Sequence, residues 1–154
     1  MTVQRVAHAV GATAVGLIAG TALAHVFEMP HKLAMTGAQW QPVQSLLYNG
    51  WGGKLLYLDI IAVAALLFVA FRSGATRSWA AAAIILLLAA DVLVFLVWIQ
   101  PTNAALDAWT SEVPIPNWQA LRANWEWGHA ARCVLLTLST LCAVMAAGQT
   151  SNRP

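Results

Sequence analysis

Apolar positions gather in four long runs, near residues 6–28, 53–71, 79–99 and 127–147, and most polar positions fall at their ends or between them. A helix needs about 20 apolar residues to cross the hydrocarbon of a bilayer, and each run is close to that length. The pattern predicts an all-α integral membrane protein. It would be a single domain over 1–154, a four-helix bundle with two longer loops at one end. Arg72-Ser73-Gly74-Ala75-Thr76-Arg77-Ser78 is a short basic turn that makes the second and third spans an antiparallel pair. Pro30 has no N–H and disfavours helix at Met29, so the first helix is expected to stop about there. In the connection 31–52, Trp40, Val43, Leu47 and Trp51 recur roughly at helical spacing, and part of it is expected to lie flat on the membrane surface. In the connection 100–126, Pro101-Thr102-Asn103 reads as the end of the third helix. Asn117 reads as an N-cap from which a helix runs straight into the fourth span.

Ala12, Gly16, Gly20 and Ala24 stand four apart in the first run. Such a ridge of small residues lets a neighbouring helix approach closely, and oligomerisation is compatible with it. Composition sharpens the membrane reading. Of 154 residues, 60% are hydrophobic and only 9% charged, against about 25% charged in an ordinary soluble domain. A net charge of +2, with no basic cluster, excludes a nucleic-acid partner. Cys133 and Cys142 are nine residues apart in one run and face opposite sides of a helix, so both read as packing residues.

Charge also orients the chain. Arg5, Arg72, Arg77 and Arg153 lie on one side with no acids, while Glu28, Asp107, Glu112 and Glu126 lie on the other beside Lys32, Lys54 and Arg122. By the excess of basic residues on the cytoplasmic side, both termini are expected to be cytoplasmic. Seven of the eight tryptophans then fall on the outer side and only Trp79 on the inner, which predicts an aromatic cap at the outer end. Lys32, Lys54 and His31 read as surface groups, and His8 as interfacial.

The candidate chemistry sits at that outer end. His25 and Glu28 share a helix face at a spacing of three, and Glu126, His129 and Arg132 repeat the spacing on the fourth helix. Trp118, Leu121, Arg122, Trp125, His129 and Arg132 fall within about a 90° sector at 100° per residue, a stripe expected to face the bundle. Asp59 and Asp91 lie about two turns inside the second and third spans. Charged groups at such depth usually face the bundle interior in pairs. Three readings stand side by side. In the first, His25, Glu28, His129, Asp59 and Asp91 hold a metal, with imidazole and carboxylate ligands suiting iron or copper. In the second, a desolvated histidine or aspartate takes a proton from an apolar acidic substrate while Arg132 stabilises the anion and Asn103 orients it. In the third, Arg132 pairs with Asp91 or Asp59 and the cluster is structural, in a non-catalytic partner subunit or small-molecule binding protein. The inner half carries little polar beyond Thr13 and His8, which counts against a transport path.

Several segments resemble one family: His25-x-x-Glu28-x-Pro30-x-Lys32, Val43-Gln44, Tyr48-x-Gly50-Trp51, Pro101-Thr102-Asn103-x-x-Leu106, and Trp118-x-x-Leu121-Arg122-x-x-Trp125-Glu126-x-Gly128-His129-x-x-Arg132. Together they resemble the anthrone oxygenase-like family of small four-span membrane proteins, and the resemblance covers nearly the whole chain. It implies a four-helix bundle with an outer-end pocket and oxygen-dependent oxidation of an apolar molecule, as the fungal members oxidise anthrones to anthraquinones with O2. The H-x-x-E-x-P-x-K element places this chain with the bacterial branch, hence in a bacterial cytoplasmic membrane. The expectation is an oxidoreductase acting on a small apolar or aromatic substrate, with His129, Arg132 and Asn103 as catalytic residues.

Overall fold

The computed structural model describes residues 2–72, 74–109 and 114–151, with the side chains of Thr150 and Ser151 left aside. Ser73, Glu112, Val113 and Arg153, which entered the reading of turns and charge, lie outside them. All regular structure among the described residues is helical. The elements are α1 (Val3–Ala34), α2 (Gly37–Val43), α3 (Trp51–Arg72), α4 (Gly74–Leu88), α5 (Gln100–Asp107) and α6 (Trp118–Ser151). A π-helical turn, Gln44–Tyr48, follows α2, and a π-helical segment, Ala89–Ile99, joins α4 to α5 without a break. Four helical stretches among the described residues are long and apolar enough to cross a membrane: Val3–Ala34, Trp51–Arg72, Gly74–Asp107 and Trp118–Gln149. They form a ring in which α1 packs on α3 and α6, and α4 packs on α3 and α6.

The packing seams alternate steps of three and four. On α1 the buried series is His8, Gly11, Val15, Ile18, Ala22 and His25; on α6 it is Arg122, Trp125, His129, Arg132, Leu136, Ser139, Ala143 and Ala146. An average step of 3.5 residues keeps a seam facing its partner when helices cross at a shallow angle. The ridge at strict spacing of four serves only in its first half: Ala12 packs on the core and Gly16 lies near Thr140 of α6, whereas Gly20 and Ala24 are exposed. Each step of four turns the position by about 40°, so such a row winds off any straight contact within three steps. Small residues still matter on the seam, because a Cβ on Gly11 would come within 3.1 Å of Leu66. Ser139 turns its hydroxyl to Ala83 O at 2.7 Å and so joins α6 to α4 without an orphaned polar group.

Both proline stops are overridden. α1 continues through Pro30 to Ala34. Its last turn is held from outside, because Arg122 Nη1 donates to Lys32 O at 3.0 Å and to Met35 O. Pro101 also sits inside helix. The preceding π-helical winding carries the chain past it, with Gln100 N–H donating to Phe95 O, and Pro101 occupies the first turn of α5, where a missing N–H costs little. The basic turn at 72–78 is shorter than expected, since α4 already begins at Gly74. α6 does start just after Asn117 and runs unbroken through the fourth apolar run; Asn117 has φ 61°, and its carbonyl accepts from Ala120 and Leu121.

Candidate functional site: an aromatic pocket at one end of the bundle

The α1 and α6 seams are small and apolar through their middles but change character at one end. There α1 presents His25 and Lys32, and α6 presents Arg122, Trp125, His129 and Arg132. His25 and His129 meet: their ring centroids are 4.2 Å apart. Trp125 stacks at 4.1 Å on His129 and edge-on at 4.9 Å to His25, and Tyr48 lies 4.7 Å from His25. The expected stripe on α6 therefore faces the bundle, and two distant segments of sequence build one site.

Lys32 departs most from expectation. It is 2% exposed. Its ammonium lies 2.7 Å from Glu28 Oε2, donates to His25 Nδ1 at 3.1 Å, and sits 4.2 Å and 4.8 Å from the centroids of Tyr48 and Trp125. A buried ammonium without such partners would be costly. Because Lys32 donates to Nδ1, the His25 proton belongs on Nε2. Glu28 also accepts from the Tyr48 hydroxyl. Burial, and the carboxylate of Glu28 behind it, push the ionisation of Tyr48 well above the ordinary phenol range. The spacing of four between Glu28 and Lys32 was visible in the sequence, but a helix ending at Met29 would have left Lys32 off it. Lys54 and His31 are exposed as expected, and His8, near the start of α1, is buried against its neighbours.

Asp91 and Arg132 form an ion pair, with Nε donating to Oδ1 at 2.6 Å and Nη2 engaging the same oxygen. The Asp59 carboxyl faces that of Asp91. Asp59 Oδ1 and Asp91 Oδ2 are buried without a hydrogen-bond partner. Asn103 accepts from Trp125 Nε1 at 2.9 Å and donates to Gln100 at 3.3 Å. It thus fixes the ring that packs against both histidines. Glu126 is fully buried but does not line the cavity; its carboxyl lies within electrostatic reach of Lys32 and Arg122, and the Trp40 indole approaches it without closing a hydrogen bond.

The connections roof this end. Trp40, Trp109, Trp125 and Ile99 form one buried cluster, and Gln41 Nε2 donates to Trp109 O at 3.3 Å across the two connections. The segment after α1 is helical in part, as its spacing suggested, but Trp40 points inward and is fully buried. Beneath the roof lies a cavity of about 790 Å³, walled by Tyr48, Trp51, Phe95 and Trp125, with His25 and His129 on one side and Asp59, Asp91 and Arg132 deeper in. Its size suits a small organic molecule.

No family model, curated protein or solved structure matches this chain.

The metal-ligand expectation meets a different arrangement. His25, Glu28, His129, Asp59 and Asp91 share one end of the bundle, yet among the described residues no group of three or more histidine, cysteine, aspartate or glutamate side chains is placed to hold a metal ion. Lys32 occupies His25 Nδ1 and Glu28, and Arg132 occupies Asp91. Cations stand where a centre of this kind needs free ligands. Cys133 and Cys142 are free thiols, with Cys133 buried in the core. The imidazole left open is His129. It is 7% exposed, lines the cavity, and has no hydrogen-bond partner at Nδ1.

Proposed function

We propose that this chain is a multi-pass membrane oxidoreductase that removes a proton from a small apolar, aromatic substrate in the end pocket and passes the resulting anion to O2. The carrying observation is the His129 imidazole, which lines an aromatic-walled cavity that also holds the Arg132 guanidinium. As a neutral imidazole, His129 offers the lone pair of its cavity-facing ring nitrogen to an acidic C–H, which is general-base chemistry. Arg132 uses Nε and Nη2 on Asp91, leaving Nη1 to receive an oxygen on which negative charge develops. Trp125, fixed by Asn103, and Tyr48 would hold a flat ring against the imidazoles. The carbanion then gives electrons to O2. A hydroperoxide forms with the proton returned by His129, and loss of water leaves a carbonyl. In sum, one substrate methylene and one O2 become one carbonyl and one water. The fold supplies orientation and desolvation, and the cations already bound at Glu28 and Asp91 keep those carboxylates from competing for the proton.

The test is oxygen uptake by purified protein in lipid nanodiscs with anthrone, the substrate of the fungal members of the family that the sequence resembles. One O2 consumed per carbonyl formed is expected, with a loss of about 100-fold in His129→Ala, the usual scale of a positioned base. Elemental analysis runs beside it. Stoichiometric iron or copper that disappears in both His25→Ala and His129→Ala would overturn this metal-free route, as would full oxidation by His129→Ala.

A further inference from the structure

The cavity has two rims of opposite character. One is polar, with Ser45, Asn49, Gln100 and Asp107 exposed at the end of the bundle. The other lies on the side of the bundle. Leu56 on α3 and Leu96 on the π-helical segment both line the cavity, and each is 55% exposed. Their exposed faces continue along each helix as Tyr57, Ile60 and Ile61, and as Val92, Leu93 and Val97. These are the apolar surfaces that a membrane-crossing helix turns to lipid. Around the ring, α3 packs on α4 and the π-helical segment packs on α6, but among the described residues α3 and that segment scarcely touch. Where they come close, the Phe95 ring stands 3.5 Å from a Cβ placed on Gly52, while one on Gly53 meets nothing within 4 Å. Past this gap the cavity wall carries the Asp59 carboxyl, beside the Asp91 already paired with Arg132, and the His129 ring.

We infer that the gap between α3 and the π-helical segment is a lateral portal through which a lipid-soluble molecule carrying an O–H or N–H donor passes from the bilayer, its donor end meeting the Asp59 carboxyl at the cavity wall. The inference rests on the membrane reading above but not on the oxidation chemistry. Asp59 lines the cavity while Arg132 is committed to Asp91, so the Asp59 carboxyl is the acceptor left for the single hydrogen of a ligand's O–H or N–H, and a buried acceptor costs free energy until it is met. The apolar remainder of the ligand fills the aromatic-walled space, and it need never cross water to arrive.

The test uses protein in phosphatidylcholine nanodiscs with tritiated 1-naphthol, corrected for empty nanodiscs, and 1-methoxynaphthalene as the analogue without a donor. Three results are expected. Leu56→Trp with Leu96→Trp slows both binding and release about tenfold at nearly constant affinity, a purely kinetic effect on access. Ser45→Trp with Asn49→Trp on the polar rim leaves both rates in place. Asp59→Ala weakens 1-naphthol about tenfold, the scale of one lost hydrogen bond in a buried site, and leaves 1-methoxynaphthalene unchanged. Gly53→Leu narrows the same gap and replaces the double variant should that fail to fold. The inference is overturned if 1-naphthol does not bind, if the polar-rim variant slows access while the portal variants do not, or if Asp59→Ala treats both ligands alike. Protein that binds by this route but consumes no O2 would sink the oxidase reading and leave the portal standing.

Discussion

At the residue scale, the site turns on which nitrogen and oxygen atoms are already taken. Lys32 holds His25 and Glu28, Arg132 holds Asp91, and Asn103 holds Trp125, which leaves His129 as the cavity-lining imidazole that no cation holds. Tyr48 belongs to the same network through its hydroxyl on Glu28, and burial with that neighbouring carboxylate raises its ionisation above the ordinary range. The sign follows. The folded protein keeps a proton that the unfolded chain releases near pH 10, so this contribution to stability is present below about pH 10 and is lost as pH rises further. In Tyr57→Phe protein, ultraviolet titration is expected to show no tyrosinate in the range of a free phenol, and the signal should appear there on unfolding. A normal phenol titration in the folded variant would mean that Tyr48 is not held as described. His25, Glu28, Asp59, Asp91, His129 and Arg132 were all legible as a cluster, because each is an ionisable group in or beside an apolar run. Lys32 was not. Its role depends on helix persisting past Pro30, which local propensity argues against and which Arg122, ninety residues away, makes possible.

At the element scale, the π-helical segment is the part that sequence periodicity could not reveal. An apolar run of eleven residues has the same appearance whether its N–H groups reach back four or five positions. The consequence is large, since this segment carries Asp91, Phe95 and Leu96 to the cavity and lets the chain pass Pro101 in helix. It is seated on α6 at Gly128, where an added Cβ would fall 2.8 Å from Ile99 Cγ1 and 3.4 Å from Trp98 Cγ. Gly128→Ala should therefore push the segment off α6 and destabilise the fold by about 1–3 kcal/mol, the usual cost of overpacking. Gly20→Ala, which meets nothing within 4 Å, should be neutral or stabilising by up to about 1 kcal/mol, since alanine is the better helix former. Thermal unfolding in detergent checks both; a Gly128→Ala protein as stable as Gly20→Ala would show that the close contact is not tight. The seams teach a related lesson. Small residues at a spacing of four drew attention to Gly20 and Ala24, but the helices pack through the alternation of three and four that runs from His8 to His25.

At the scale of the whole molecule, four apolar runs and their polar ends were sufficient to anticipate four long helices and a cluster at one end. Helix lengths were understated, because amphipathic turns at the ends of α1, α5 and α6 lie outside any apolar window yet continue the same helices. The concentration of tryptophan at one end also has a structural meaning: Trp109 and Trp125 line the cavity, and Trp40 packs with them in one buried cluster. The bundle then combines a tightly packed shaft with an end chamber that is roofed by its connections and gapped toward one side. This division suits a catalyst that keeps water away from a carbanion while drawing its substrate from lipid.

The central claim is that His129 takes a proton from a substrate held in this chamber. The most direct measurement is hydrogen–deuterium exchange at the methylene of anthrone, in heavy water and without oxygen, by wild-type and His129→Ala protein in nanodiscs, read by mass spectrometry. The account predicts exchange well above the empty-nanodisc background for the wild type, and a fall toward that background for His129→Ala with substrate still bound. Exchange of equal rate in the two proteins would contradict it.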